Sequence, residues 1–390
     1  MNTFLNALSH DGGADHTVAE IGQQPRLWRE VGRIMEEDRD ALDAFLAPLL
    51  ARQDLRIILT GAGTSAFAGR IARRELARRT GRRVDAIATT DMVADPHGSL
   101  DADVPTLLVS FARSGDSPES VAATEFADRC LTRVSHLVIT CNSKGRLARE
   151  HSGRAASHVL LMPDGANDQG FAMTSSFTCM LLAALLAFGA ADGPVDVLPV
   201  AEAAEHLTTG GLDDRIGALL ESKPERLVFL GSGALKGLAE ESALKLLELT
   251  GGAVVAAADS ALGFRHGPKA VLNDRTAVVL YVSNDPYTRA YDLDILAELR
   301  SALPQGSVAA VAGRPDGLPE SDGTWLVPGL QDADDAVLAL PAVVCAQLIA
   351  LRSAVDHGIR PDNPFPSGEV NRVVQGVTVH ALPQHHGDSA

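Results

Sequence analysis

One stretch of this chain is written twice. Ile57 to Val84 lies without gaps on Leu227 to Val254 at an offset of 170 residues, with identities at Gly61/Gly231, Gly63/Gly233, Leu76/Leu246, Thr80/Thr250, Gly81/Gly251 and Val84/Val254. Each copy opens on a short apolar run, Arg56-Ile-Ile-Leu-Thr60 or Arg226-Leu-Val-Phe-Leu230. A Gly-x-Gly turn and a helical pattern ending in Thr-Gly follow. Strand, glycine turn and helix form the first half of a βαβ unit, and the glycines stand at the turn and at the helix end, where backbone geometry can demand them. A 390-residue chain that is 46% hydrophobic has room for a complete core around each copy. The repeat therefore predicts two α/β domains of one fold.

The intervening sequence agrees. Ile87, Thr106–Ser110, His136–Thr140 and His158–Leu161 are short apolar strand candidates separated by helical segments. Such alternation predicts a doubly wound parallel sheet with helices on both faces. Residues 17–50 carry apolar positions at helix-like intervals, and a Gly/Asp/Pro-bearing stretch from Gly189 to Pro199 marks a boundary. The expected organisation is a helical segment at 1–50, a first domain at 51–215, a second at 216–362 and a tail at 363–390.

Charge and cysteine usage narrow the partners. Fifty acidic against 34 basic residues give a net charge of −16, which repels a nucleic-acid backbone but does not exclude a small anion held by local N–H groups. Cys130, Cys141, Cys179 and Cys345 have no metal-like or disulfide-like spacing, so reduced structural thiols are expected and no metal. The opening MNTFLNALSHDGGADH lacks a basic leader followed by an apolar run. The apolar stretch from Phe177 to Ala191 falls short of the roughly 20 residues that span a bilayer. A cytoplasmic protein without membrane contact is expected.

In the first half, hydroxyl residues gather at three predicted helix starts: Thr64 and Ser65 after Gly63, Ser114 to Ser117 before Pro118, and Thr174 to Ser176. Any one of them is explained by ordinary N-capping. Three in one doubly wound domain, whose helix N-termini share an edge, predict a converging phosphate cradle. A dinucleotide fingerprint, Gly61-Ala-Gly-Thr-Ser-Ala66 with Asp85 as the ribose acid, is the weaker reading because it leaves the other hydroxyls unexplained. In the second half, Glu241, Lys245 and Glu248 share one helical face. A solvated salt-bridge ladder would explain them, but the repeat offset places Glu75 and Arg78 opposite Lys245 and Glu248, so the two copies differ in charge there. His266, in Phe264-Arg-His-Gly-Pro268, adds an imidazole on a loop. Carboxylate and imidazole together are equipment for proton transfer.

These motifs, with Ser110-Phe-Ala-Arg-Ser-Gly-Asp-Ser117, Ala239–Glu248, Glu20-Ile-Gly-Gln-Gln-Pro25 and the tail Asn363–Val379, resemble the double sugar isomerase (SIS) domain family, in its AgaS branch of galactosamine-6-phosphate deaminase/isomerases. The resemblance implies two tandem SIS domains, each a flavodoxin-like three-layer αβα sandwich, preceded by a helical segment. Against the isomerase half of glucosamine-6-phosphate synthase, Ser65, Arg113, Ser114 and Ser117 fall at phosphate-loop positions, with Gly63 and Thr64 as further substrate-binding candidates on the same turn, and Ser175 and Ser176 fall at a sugar-contacting helix start. Ala112 replaces a phosphate-binding serine. Glu248 matches the base working between C1 and C2, Lys245 and Glu241 lie on its helix, and His266 matches the ring-opening residue. That histidine reaches the synthase site from a neighbouring subunit, which implies a homodimer or a dimer of dimers with sites at the subunit interface.

Gln375 stands where the synthase has a Schiff-base lysine, and no glutaminase module or N-terminal cysteine is seen. Both departures imply breakdown of an amino sugar phosphate instead of synthesis, with no metal or redox cofactor. The expected reaction converts galactosamine 6-phosphate to tagatose 6-phosphate and ammonium. The alternatives are a plain aldose/ketose isomerase of sugar phosphates and a catalytically silent sugar-phosphate sensor.

Overall fold

The computed structural model describes residues 13–188, 195–209, 212–374 and 376–382. The first sheet comprises β1 (Arg56–Thr60), β2 (Arg83–Ala86), β3 (Thr106–Ala112), β4 (Val134–Thr140) and β5 (Ser157–Leu161). The second comprises β6 (Arg226–Gly231), β7 (Val255–Asp259), β8 (Thr276–Val282), β9 (Val308–Ala312) and β10 (Thr324–Leu326). Their strand orders, β2-β1-β3-β4-β5 and β7-β6-β8-β9-β10, are the same order written twice, and all pairings are parallel. The register sets Ile57 beside Val84 and Leu107 in the first sheet, and Leu227 beside Ala256 and Ala277 in the second. Every residue of β1, β3, β8 and β9 is buried, as expected of strands covered on both faces.

The two repeats meet through their first helices, Thr64–Thr80 and Ala234–Leu249. Gly237 sets how closely they approach, since a Cβ there would stand 2.9 Å from Ile71 Cγ1 and 3.0 Å from its backbone nitrogen. Around this contact lie the wholly buried helix Ser175–Ala187 and the long helix Asp335–Asp356. The latter is long and apolar enough to cross a membrane, yet 94% of its apolar window is buried inside the fold, so it is a core helix.

The amino-terminal helical segment is two helices, Asp15–Glu37 and Arg39–Leu50, which meet at Asp38. It is part of the core more than a preface. Trp28 Nε1 donates to Thr178 Oγ1 at 2.9 Å, that hydroxyl donates to Gln24 Oε1 at 2.8 Å, and Gln24 Nε2 donates to Gln347 Oε1 at 2.7 Å. One buried polar chain thus ties this helix to the central helices of both repeats. The second strand ends at Ala86, one residue before Ile87. Pro199 lies within the helix Val197–Thr209, while most of the expected boundary (189–194), the extreme amino terminus (1–12) and Gln375 lie outside the described residues.

Candidate active site

The repeated glycines have a steric cause. A Cβ on Gly61 would stand 2.6 Å from Ser65 Cβ, and one on Gly231 would stand 2.3 Å from Leu235 O. Gly63 and Gly233 precede their helices with φ of +53° and +62°, a region closed to most side chains. Each turn therefore delivers a helix N-terminus to the carboxyl edge of its sheet, where ligands of open α/β folds bind.

At the first turn lies a cleft of about 210 Å³. Gly63, Thr64, Ser65, Arg113, Ser114 and Ser117 line it from the first repeat, and Glu248 lines it from the second. Neither the Thr64 helix nor the Pro118 helix uses a side-chain cap, so the Ser117 hydroxyl is not consumed as a cap. Arg113 is only 7% exposed, and its Nη1 has no hydrogen-bond partner among the described residues. Burial pushes the guanidinium pKa down, and the nearby Arg372 adds to that push.

The face Glu241-Lys245-Glu248 is not a solvated ladder. The Glu241 and Lys245 side chains are fully buried, and Glu248 keeps a quarter of its surface exposed where it lines the cleft. Lys245 Nζ donates to Thr64 Oγ1 at 2.9 Å, pairs with Glu248, and lies 3.5 Å from Glu241 Oε1. Thr64 Oγ1 is also 3.4 Å from Glu241 Oε1. The cradle and the acid/base face are therefore one bonded cluster spanning both repeats. Burial pushes Glu241 up to about 8, against the pull of Lys245. Burial alone would lower the Lys245 pKa, but the two carboxyl groups outweigh it and hold the ammonium above its ordinary value.

Two expected groups do not join this cleft. Thr174, Ser175 and Ser176 donate their backbone N–H groups to the Asp168 carboxylate at 2.8, 3.2 and 2.8 Å, and Ser176 Oγ donates to it at 2.5 Å. Ser175 Oγ donates to Glu20 O at 2.9 Å and accepts from Gln23 at 3.0 Å. Both serines are fully buried, and the chain's own carboxylate fills the anion position. The segment instead supplies Phe171 and Met173 as cleft wall. His266 is exposed outside this cleft, on the surface of the second repeat. Asp85, the ribose acid of the dinucleotide reading, is engaged by Arg56 at 2.6 Å and Arg83 at 3.0 Å.

Sequence reasoning missed the tail as a wall. Val370 to Val374 line the cleft, Arg113 Nη2 donates to Arg372 O at 2.9 Å, and Arg372 donates in turn to Asp168 O. The Gln375 match to a Schiff-base lysine already implies that the tail runs close to the site, but the roles of Val370 to Val374 as wall have no periodicity to signal them.

The duplication makes a second cleft of about 560 Å³ at Gly233, with Arg78 standing where Glu248 stands in the first. Its chemistry is different. Ala234 and Leu235 replace Thr64 and Ser65. Asp335 accepts from Ser283 Oγ at 2.6 Å and Asn284 N at 2.8 Å, and Asp285 accepts from Thr288 N at 2.8 Å. Arg78 is held by Glu75 at 2.8 Å and Asp334 at 2.9 Å. Carboxylates engage Arg78 and the Ser283, Asn284 and Thr288 donors, and the hydroxyls of the first cradle have no counterpart at 234 and 235, so the two repeats differ in their equipment for a phosphate. Among the described residues no group of three or more His, Cys, Asp or Glu is arranged to hold a metal.

Comparison with known proteins agrees with this geometry. The SIS domain family matches residues 49–190 and 219–305. The chain is 66% identical to an AgaS protein of Streptomyces coelicolor, over 98% of this chain and 100% of that one. It is 43% identical to the D-galactosamine-6-phosphate deaminase AgaS of Shewanella, over 94% and 92% of the respective chains. The crystal structure of tagatose-6-phosphate ketose/aldose isomerase from Escherichia coli superposes with a TM-score of 0.85 at 40% identity, covering 95% of this chain and 97% of that one. With two sheets of one strand order, a cleft at the carboxyl edge between them and relatives matched along nearly their whole length, the chain belongs to the SIS domain family.

Proposed function

We propose that this protein is a deaminating aldose–ketose isomerase that converts galactosamine 6-phosphate to tagatose 6-phosphate and ammonium. One observation carries the reading: the buried Glu241-Lys245-Glu248 face of the second repeat is bonded through Thr64 to the hydroxyl and arginine cradle of the first. The phosphate sits against Ser65, Arg113, Ser114 and Ser117, with the positive end of the Thr64 helix dipole behind it.

Glu248 is the base. In the open-chain sugar it takes the C2 proton while O1 takes one from solvent, giving a C1=C2 enolamine, and return of the proton from Glu248 to C1, with loss of one N–H proton to solvent, leaves a ketimine at C2. Water adds to C2, the C2–N bond breaks and ammonium leaves, so atoms balance without oxidant or metal. Lys245 pairs with Glu248 and orients it. A general base contributes about 10²–10⁴-fold, so Glu248→Gln lowers kcat by about that factor. Substrate deuterated at C2 tests the same step. C2 of the ketose carries no hydrogen, so the label is expected to divide between C1 and solvent through the exchangeable carboxyl of Glu248, and its quantitative arrival at C1 with no loss to solvent, as in a direct hydride shift, contradicts the mechanism.

His266 completes the site from a second copy of the chain and opens the pyranose ring. Its exposure beside the exposed Leu262 supports this arrangement, as does its absence from the cleft of its own chain. In that arrangement Ser175 and Ser176 act only by fixing the wall that carries Phe171 and Met173.

A further inference from the structure

The unexplained feature of the cleft is a pair of like charges. Arg113 is more than nine-tenths buried, makes no ion pair among the described residues, and spends only Nη2 on a neutral carbonyl. That carbonyl belongs to Arg372, whose own guanidinium lines the same cleft and is likewise held by a carbonyl, that of Asp168. Arg113 is buried and Arg372 exposed, and the two carboxylates whose charge reaches Arg113 are already engaged, Asp168 by the Thr174–Ser176 amides and Glu248 by Lys245, so two guanidiniums without an ion pair of their own among the described residues face an incoming anion. The serine hydroxyls beside them hydrogen-bond a phosphate and an uncharged hydroxyl alike. They supply geometry but little preference for charge.

We infer that Arg372 determines specificity for the phosphate dianion: its carbonyl orients Arg113, and its guanidinium supplies the second positive charge on the same wall. This rests on the reading of the cleft as a sugar-phosphate site and adds a residue to it. A phosphate monoester carries close to two negative charges at neutral pH, which matches two guanidiniums. Because Arg372 lies on the 370–374 segment, the bound phosphate also ties that segment to the first repeat.

Calorimetric titration and steady-state kinetics of the full chain test the inference, with galactosamine 6-phosphate and unphosphorylated galactosamine as ligands. Arg372→Met is expected to weaken binding of the phosphate ester by about tenfold or more, about 1.4 kcal/mol per decade, and to raise KM in step. The kcat and melting temperature should stay near wild type, and galactosamine binding should not move. Arg372→Lys keeps the charge but not the planar fork and is expected to recover part of the loss. Wild-type discrimination between the two ligands with Arg372→Met binding the ester as tightly as wild type overturns the inference and leaves the site reading intact. Equal losses in kcat and melting temperature also overturn it, since they mark a merely structural residue. Failure of the wild type to prefer the ester overturns the site reading and this inference together.

Discussion

Glu241 shows how burial reassigns a familiar side chain. A glutamate four residues before a lysine on a helix is ordinarily half of a surface pair worth a few tenths of a kcal/mol. Here, with no exposed side-chain surface and Oε2 without a partner among the described residues, burial raises its pKa from 4.5 to about 8. The folded protein thus keeps a proton that the unfolded chain releases. This group's contribution to stability is full below about pH 4.5 and is lost as pH rises through 8. Glu241→Gln copies the neutral form and cannot ionise. Urea denaturation of the two proteins should give similar midpoints near pH 5, and at pH 9 the variant should be the more stable. A difference that does not grow with pH would mean that Glu241 is ionised in the fold.

Among the helices, the clearest lesson comes from two similar N-termini put to opposite uses. The start at Thr64 faces the cleft, whereas the start at Ser175 is closed by Asp168. Hydroxyl clustering signalled both, because Ser and Thr at a helix start look alike whether the amides await a ligand or already hold a carboxylate. The discriminating residue lies upstream in a loop with no periodicity, so the sequence had no means of pairing it with the helix. The glycine turns and the Glu241-Lys245-Glu248 face were legible for the opposite reason, being fixed by local spacing and by the repeat. Asp168→Ala strips the acceptor from three amides and a hydroxyl. It should cost about 1–3 kcal/mol in a urea unfolding titration, with Asp168→Asn recovering part of that. An unchanged midpoint would show that the cap is not structural.

Across the whole molecule, duplication and divergence account for both the fold and the single site. The order of five strands occurs twice, and the offset of 170 residues places Arg78 where Glu248 stands. Because the second cleft lacks the Thr64 and Ser65 hydroxyls and holds Arg78 in ion pairs, titration with galactosamine 6-phosphate should saturate at one ligand per chain. Two equivalent sites per chain would contradict the division of labour. The amino-terminal helices were legible as helices, but their place in the core was not, since it depends on Gln24 meeting Thr178 and Gln347 from distant parts of the chain.

The subunit arrangement belongs to the same scale. If each site takes His266 from a second copy, coexpressed Glu248→Gln and His266→Ala chains form mixed dimers with one intact site. Random pairing then restores about a quarter of wild-type activity, whereas each variant alone stays inactive. No restoration would place both residues in one chain's site.

The central claim is that the cleft between the repeats moves a proton and releases the amino group of a sugar phosphate. Purified protein given galactosamine 6-phosphate, with ammonium and ketose phosphate measured in parallel, tests it most directly. The account predicts one ammonium and one tagatose 6-phosphate for each substrate consumed, and little release by Glu248→Gln. Isomerised product without ammonium, or tight binding of the ester with no turnover, would contradict it.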